Sequence, residues 1–351
     1  MTISLDSPPA SLCILRLSAL GDVTHVLPTL RTFQHEWPDC KITWIIGKLE
    51  HTLVGDIPNV EFIVFDKSEG VKAYLQLASK LKGREFDLLL HMQVSLRASI
   101  ASLLIKAPVR IGFDSARARN GQHLFTNQQI APVRNQHVLD GFLEFPKLLG
   151  INNLKLEWDI PIPIDSHRVF ENLPAGRKFL AINPCTSSRA RNFRNWSIEN
   201  YAKIIDYASD NFGLATVLTG GPTTQEKEYA EKITAAAKQK PVNLVGKTNL
   251  KELLAVLEKA DIMISPDTGP AHLAGTVGTP VIGLYASSNP LRTGPYQSLE
   301  ITVSRYPEAI KKEFGKAVSE VRWGQRVRTP DVMSMISLNE VIEKLKQVAQ
   351  K

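Results

Sequence analysis

The chain has 351 residues and a formal charge of +7, from 42 Lys and Arg against 35 Asp and Glu. Its 43% hydrophobic and 22% charged content excludes a disordered or fibrous chain and provides for two domains, each with its own core. No apolar run approaches a membrane span, and Arg16 interrupts the early stretch that suggests a signal peptide, so a cytoplasmic protein is expected. Cys13, Cys40 and Cys185 are far apart and lack metal spacing, which reads as free thiols in a reducing compartment. The positive charge admits nucleic acid, an anionic membrane or a phosphorylated substrate. No zinc-finger spacing or long basic tract favours nucleic acid. The basic residues cluster beside motifs instead, as Lys106, Arg110, Arg117 and Arg119, and as Arg189, Arg191 and Arg194.

In chain order, short apolar runs alternate with helical patterns, which predicts parallel α/β units. Strands are expected at Leu12–Leu17, Lys41–Ile46, Glu61–Phe65, Phe86–His91 and Val109–Gly112, with helices such as Val23–Glu36 and Val71–Lys82 between them. DIPIPIDS, Asp159 to Ser166, cannot continue a helix and reads as an extended linker. Alternation restarts with Phe179–Asn183, Ala215–Thr219, Val242–Val245, Ile262–Ser265 and Val281–Tyr285. Asn249 with Glu252, and Ser337 with Glu340, have capping-box spacing. Leu338, Val341, Ile342, Leu345 and Val348 share one face of a final helix that must dock on a core. In Ala309–Trp323, lysines alternate with Ile310, Phe314, Ala317, Val318 and Val321. That pattern fits an anionic bilayer, or equally a core-packed helix with a basic outer face.

Four segments carry chemistry by residue type and spacing. SALGDVTH, Ser18 to His25, follows the first strand and opens a helix. It lacks the second and third glycines of G-x-G-x-x-G, so no dinucleotide cofactor is expected. Gly21 lets backbone approach a ligand, and Asp22 sits at a strand's carboxyl end, where open α/β sheets bind ligands. By spacing alone, Asp22 fits a helix cap better. NPCTSSRARNFRNWS, Asn183 to Ser197, holds Thr186, Ser187, Ser188 and three arginines before a Trp; by pattern alone it reads slightly better as a polar surface loop anchored by the Trp. TTQEKEYA places Glu226 near a helix N-terminus, and Thr248 follows the next strand. In SPDTGPAHLAG, from Ser265, Asp267 or Thr268 can cap a helix, Gly269 permits close approach, and Pro270 suits the first turn. Free amides and the positive helix end there attract phosphate, although an ordinary strand-to-helix turn has the same signals. His272 lies in that first turn, as a ligand contact or a packed residue. His25 and His35 read as structural, and nothing suggests a covalent nucleophile.

Taken together, DTGPAH, GTPVIGLY, TGPY at Thr293 to Tyr296, ILRLSALGDVTHVLPTLRTF at Ile14 to Phe33 and GGPTTQEKEYA at Gly220 to Ala230 resemble the ADP-heptose lipopolysaccharide heptosyltransferases, glycosyltransferase family 9. The matches run in family order from residue 12 to about 297. The opening resembles the branch that adds the first inner-core heptose, which includes enzymes acting on phosphorylated Kdo. The resemblance implies a GT-B fold of two Rossmann-like doubly wound domains facing a central cleft. Residues 1–165 would bind the acceptor and 166–330 the donor, with helix 331–351 returning to the N-terminal domain. It implies Asp22 as catalytic base. Thr186, Ser187, Ser188 and Arg194 would contact the donor diphosphate, Arg194 standing in a Lys-like position. Glu226 would hold the ribose, Thr248 would border the adenine, and Asp267, Thr268, Gly269 and His272 would face the leaving group. Arg97, Arg110, Arg117 and Arg119 are the candidate acceptor contacts, since a phosphorylated, carboxylated sugar needs several cations.

The expected reaction is inverting transfer from ADP-L-glycero-D-manno-heptose to Kdo of lipid A, with no metal and no cofactor. A carboxylate takes the acceptor proton, and arginines with helix amides stabilise the departing diphosphate. Expected partners are ADP-heptose, Kdo–lipid A and the cytoplasmic face of the inner membrane, with no nucleic acid. The rivals are a different acceptor, such as a later core heptose or a protein hydroxyl, and a degenerate nucleotide-sugar binding protein.

Overall fold

A computed structural model describes residues 7–186 and 193–350. The chain divides into two compact units, the first ending at Pro161 and the second beginning at Ile162. The division falls inside the Pro-rich segment, after which Ile164–Asn172 forms a 3-10 helix rather than continuing extended.

The first unit holds strands β1 (Ser11–Leu15), β2 (Lys41–Gly47), β3 (Val60–Phe65), β4 (Leu88–His91), β5 (Val109–Gly112) and β6 (Gln128–Gln129). Its helices are α1 (Leu20–Glu36), α2 (Lys48–Val54), α3 (Val71–Leu81), α4 (Leu96–Ser102) and α5 (Val138–Leu148). The second unit holds β7 (Phe179–Ile182), β8 (Ala215–Leu218), β9 (Val242–Asn243), β10 (Ile262–Pro266), β11 (Val281–Tyr285) and β12 (Val303–Ser304). Its helices are α6 (Ile198–Phe212), α7 (Thr224–Ala236), α8 (Leu250–Lys259), α9 (Gly269–Thr276), α10 (Pro290–Thr293), α11 (Tyr306–Phe314) and α12 (Leu338–Ala349).

Every strand pairing is parallel, and the central strands are apolar throughout because helices cover both sheet faces. The sheet orders are β3-β2-β1-β4-β5-β6 and β12-β11-β10-β7-β8-β9. Numbered from its own first strand, each unit therefore has the same doubly wound order, 3-2-1-4-5-6. The order reverses between β1 and β4 in one unit and between β7 and β10 in the other. Ligands of open α/β sheets bind at the carboxyl ends of the strands there. The two-residue edge strands β6 and β12 escape sequence reading, because alternation needs about four residues to register.

Local sequence explains the helices that frame these points. Pro28 inside α1 lacks an N–H, which leaves the Thr24 carbonyl without its helical donor. The Trp158 indole fills the gap, donating to that oxygen at 3.0 Å. Both predicted capping boxes are present, with Asn249 and Glu252 on α8 and Ser337 and Glu340 on α12.

The final helix packs within its own unit, against α6, β11 and β12. Val341 and Leu345 are fully buried there in the core that contains Trp196 and Tyr201. The Trp196 indole clamps the same region by donating to the Ile336 carbonyl at 2.9 Å. Of the two readings of segment 309–323, the core-packed one fits better: Ala309 and Ile310 are buried and Val318 and Val321 pack against that core, while Phe314 is exposed. Its lysines form the basic outer face.

Truncating Leu345 to Ala should lower unfolding free energy by about 2–4 kcal/mol, through lost burial plus a cavity. Chemical denaturation checks it; a loss well under 1 kcal/mol would mean that α12 is not a core element.

Candidate active site

In the first unit the chain leaves β1 through Arg16, Leu17, Ser18 and Ala19 before α1 begins. The Gln93 side-chain oxygen, just beyond β4, accepts from the Leu17 and Ser18 amides at 2.6 and 3.3 Å. That contact joins the two strand ends across the point where the order reverses. Arg16 is buried, and its guanidinium lies over the Phe142 ring with its carbon 5.3 Å from the centroid. One nitrogen donates to the Met92 carbonyl at 2.6 Å, and another meets Asp22 Oδ2 at 2.5 Å.

Asp22 occupies the third position of α1 and its Oδ2 also accepts from the Ala19 amide at 3.3 Å. The helix thus begins at Leu20 rather than at Val23. Asp22 serves it from inside the first turn, by accepting from the N-cap amide, instead of as the N-cap itself; it is ion-paired as well. The Arg16 side chain is 9% exposed and that of Asp22 is 37% exposed. The accessible group is the carboxylate. Sequence reading had used Arg16 only as a charge that breaks an apolar run; a cation at the end of a buried strand, six residues before an acid, was the signal available. Glu50 on α2 is a buried carboxyl in this unit. Burial pushes its titration upward, against the pull of Lys67 and Arg16.

The proposed acceptor arginines separate into two kinds. The Arg110 guanidinium donates to the carbonyls of Phe125, Ile105 and Ser102 at 2.6–2.9 Å. Arg117 pairs with Asp114 and donates to Gln136 Oε1 and the Ala131 carbonyl at 2.9 and 2.7 Å. Arg110 ties the segment before β5 to the one after it, and Arg117 holds the loops after β5. Arg97 and Arg119 are exposed.

In the second unit the matching point lies between the loop after β7 and the Asp267 turn after β10. Ser187 and Ser188 lie outside the described residues, as do Arg189 and Arg191. Thr186 is buried, and the Asn195 side-chain oxygen accepts from its amide at 3.0 Å. Arg194 donates to the Asp267 carbonyl at 2.6 Å and approaches its Oδ2 at 3.4 Å. Arg326, which sequence reading missed, reaches the same oxygen at 3.5 Å, and His272 Nε2 lies 3.9 Å from Oδ1. Burial opposes ionisation of Asp267, but the His272 hydrogen bond and the charges of Arg194 and Arg326 outweigh it and hold the group at about 2. Thr268, not Asp267, caps α9: its hydroxyl accepts from the Ala271 amide at 3.4 Å and bonds Ser265 at 2.8 Å. Gly269 and Pro270 form the first turn above it.

Here the exposure is inverted. The Asp267 side chain is 8% exposed, while those of Arg194 and Arg326 are 17% and 40% exposed. The accessible groups are cations. Glu226 is buried rather than solvated, with its oxygens taking the Gly221 amide at 2.9 Å and the Thr223 hydroxyl at 2.6 Å. Thr248 sits half-buried in the turn after β9.

Two doubly wound units of this order, each with a polar cluster at its reversal point, define a glycosyltransferase fold of GT-B type. The structure aligns with a family 9 glycosyl transferase from Veillonella parvula, with a TM-score of 0.81 at 21% identity over 97% of each chain. It also aligns with E. coli heptosyltransferase WaaC with ADP, with a TM-score of 0.71 at 19% identity over 96% of this chain and 99% of that one. In sequence, the family described as glycosyltransferase family 9 (heptosyltransferase) matches residues 74–323. The chain is 44% identical over 341 residues, 97% of each protein, to the lipopolysaccharide core heptosyltransferase OpsX of Haemophilus influenzae. It is 25% identical to lipopolysaccharide heptosyltransferase 1 of E. coli K12, over 81% of this chain and 90% of the relative. The chain belongs to glycosyltransferase family 9 and is a heptosyltransferase-type enzyme.

Asp267 supports stability through its depressed titration. Its folded value lies below the unfolded 3.8, so the contribution is complete above about pH 4 and is lost as pH falls through about 2. Asp267→Asn should therefore cost about 3 kcal/mol near neutrality, by leaving two arginines uncompensated, and the cost should shrink on acidification. Denaturant midpoints at about pH 6 and about pH 2.5 test this, and a penalty equal at both would contradict it.

Proposed function

We propose that this enzyme transfers heptose from ADP-L-glycero-D-manno-heptose to Kdo of lipid A in lipopolysaccharide inner-core assembly, with inversion and without a metal. The observation that carries the reading is the opposite exposure of the two charge pairs. One unit offers a carboxylate held by a buried arginine; the other offers arginines held by a buried carboxylate. The first suits proton removal and the second suits a polyanion.

In the proposed step, one Asp22 oxygen stays fixed by Arg16 and the Ala19 amide while the carboxylate takes the proton from the acceptor hydroxyl. The hydroxyl oxygen bonds to the anomeric carbon as the bond from that carbon to the ADP phosphate oxygen breaks, so the configuration inverts. The electron pair leaves with ADP, whose charge is met by Arg194, Arg326 and the amides opening α9. Asp267, held ionised and buried, positions these cations rather than exchanging a proton. Glu226 reaches ribose hydroxyls only by sharing its oxygens with Gly221 and Thr223. Thr248 remains the proposed adenine neighbour.

The lipopolysaccharide core assignment draws on the name of the OpsX relative, which spans nearly the whole chain. Kdo as acceptor, with or without a phosphate, draws on the likeness of the opening to first-heptose enzymes. Arg97 and Arg119 are the cations available to read it. The lipid acceptor puts the work at the cytoplasmic face of the inner membrane, and among the described residues no helix is long and apolar enough to cross it.

Asp22→Asn should lower turnover by about 10²–10⁴-fold with ADP affinity unchanged, read by product formation and calorimetry. Equal turnover would reject Asp22 as base. EDTA should leave the wild-type rate unchanged. Arg326→Ala should reduce the preference for ADP over AMP by about tenfold, the order of one charge-assisted phosphate contact. An unchanged ADP-to-AMP ratio would remove Arg326 from the diphosphate site.

A further inference from the structure

Helices α3 and α4 cover the same face of the first sheet, with Ala73, Leu77 and Leu81 of one and Ala98 and Ala101 of the other in a shared core. The Tyr74 hydroxyl ties them together by donating to the Arg97 carbonyl at 3.3 Å. Their outer faces are apolar. Leu96, Ile100 and Leu103, on α4 and its C-cap, are 55, 42 and 65% exposed, and Val71 and Leu75 on α3 are 75 and 67% exposed. The spacings, i, i+4, i+7 and i, i+4, place each set along one helix side. Single exposed leucines are ordinary. Here, five of the twelve large hydrophobics exposed among the described residues gather on two adjacent helices, and such patches mark contact surfaces.

Charge selects the partner. Residues 67–106 carry seven Lys and Arg against three Asp and Glu, a net +4. Lys67, Lys72, Lys80, Lys82 and Arg97 are exposed around the stripe. A second copy of this face would bring like charges together. An anionic bilayer accepts both features: the aliphatic groups enter the headgroup–acyl boundary, and the lysines meet phosphate above it. The position also fits the chemistry, because α4 begins three residues beyond Gln93, which holds the Arg16–Asp22 loop.

We propose that the α3–α4 face is the surface by which this enzyme docks on an anionic phospholipid bilayer. This rests on the reading that its acceptor is a membrane lipid, and it is favoured over segment 309–323, where Phe314 alone is an exposed large hydrophobic and Ile310, Val318 and Val321 pack in or against the core.

Flotation of the full chain with vesicles of phosphatidylethanolamine and phosphatidylglycerol, and with phosphatidylcholine alone, tests it. Wild type should float with the anionic vesicles, less so in high salt and less so with phosphatidylcholine. The Leu96→Gln/Ile100→Gln/Leu103→Gln variant should lower partitioning about tenfold or more with an unchanged thermal melt. Val71→Gln/Leu75→Gln provides the same test should the first variant fold poorly, and Lys311→Gln/Lys312→Gln on α11 should float like wild type. Variants of both helices that float like wild type would overturn the assignment. Wild type that floats with neither vesicle would remove the membrane reading beneath it. A lipid-free dimer abolished by the same substitutions would overturn it in favour of a contact between copies.

Discussion

A parallel sheet whose order reverses leaves the carboxyl ends of its two central strands without a crossover covering them, and everything functional in this chain follows from how those ends are filled. Each unit uses an arginine–carboxylate pair there. Burying one charge is expensive unless its partner is fixed nearby, so each buried member requires a held opposite charge. In the first unit the buried member is Arg16, further satisfied by the Met92 carbonyl and the Phe142 ring. In the second it is Asp267, satisfied by Arg194, Arg326 and His272. Which member is buried decides what the unit presents. One topology thereby presents an accessible carboxylate in one unit and accessible arginines in the other.

This arrangement distinguishes two aspartates that sequence alone presents as similar, each close to a glycine at the start of a helix. Asp267 is enclosed and held ionised at about 2, which makes it a poor proton acceptor near neutrality and a good anchor. Asp22 shares one oxygen with Arg16 and Ala19 while much of its carboxylate remains accessible. The difference arises from what packs around them, and that is set by residues far away in sequence, such as Met92, Phe142 and Arg326.

Much of the fold was legible. The buried parallel strands are unbroken apolar runs, and the caps on α8 and α12 are written in Asn249, Glu252, Ser337 and Glu340. The edge strands β6 and β12 were not, because two residues carry no period. Nor was the docking of α12: its apolar face announces a core, but not which one. In the site, Asp22 and the Asp267 turn were marked by spacing and by likeness to heptosyltransferases. Arg16 was marked only by standing at a buried strand's end six residues before Asp22, and Arg326 was not marked, since a pair formed with a residue distant along the chain leaves no local pattern. Nor were the intramolecular partners of Arg110 and Arg117 legible. A basic cluster looks the same in sequence whether it faces a ligand or, as here, ties Ser102, Ile105, Phe125 and Ala131 together through their carbonyls.

The most direct measurement of the central claim is heptose transfer from ADP-heptose to Kdo–lipid A, with and without the Kdo phosphate, in EDTA, followed by mass spectrometry. The account predicts a gain of one heptose on at least one of the two acceptors, with the metal chelated. Measurable ADP-heptose binding with no transfer to either acceptor would contradict it.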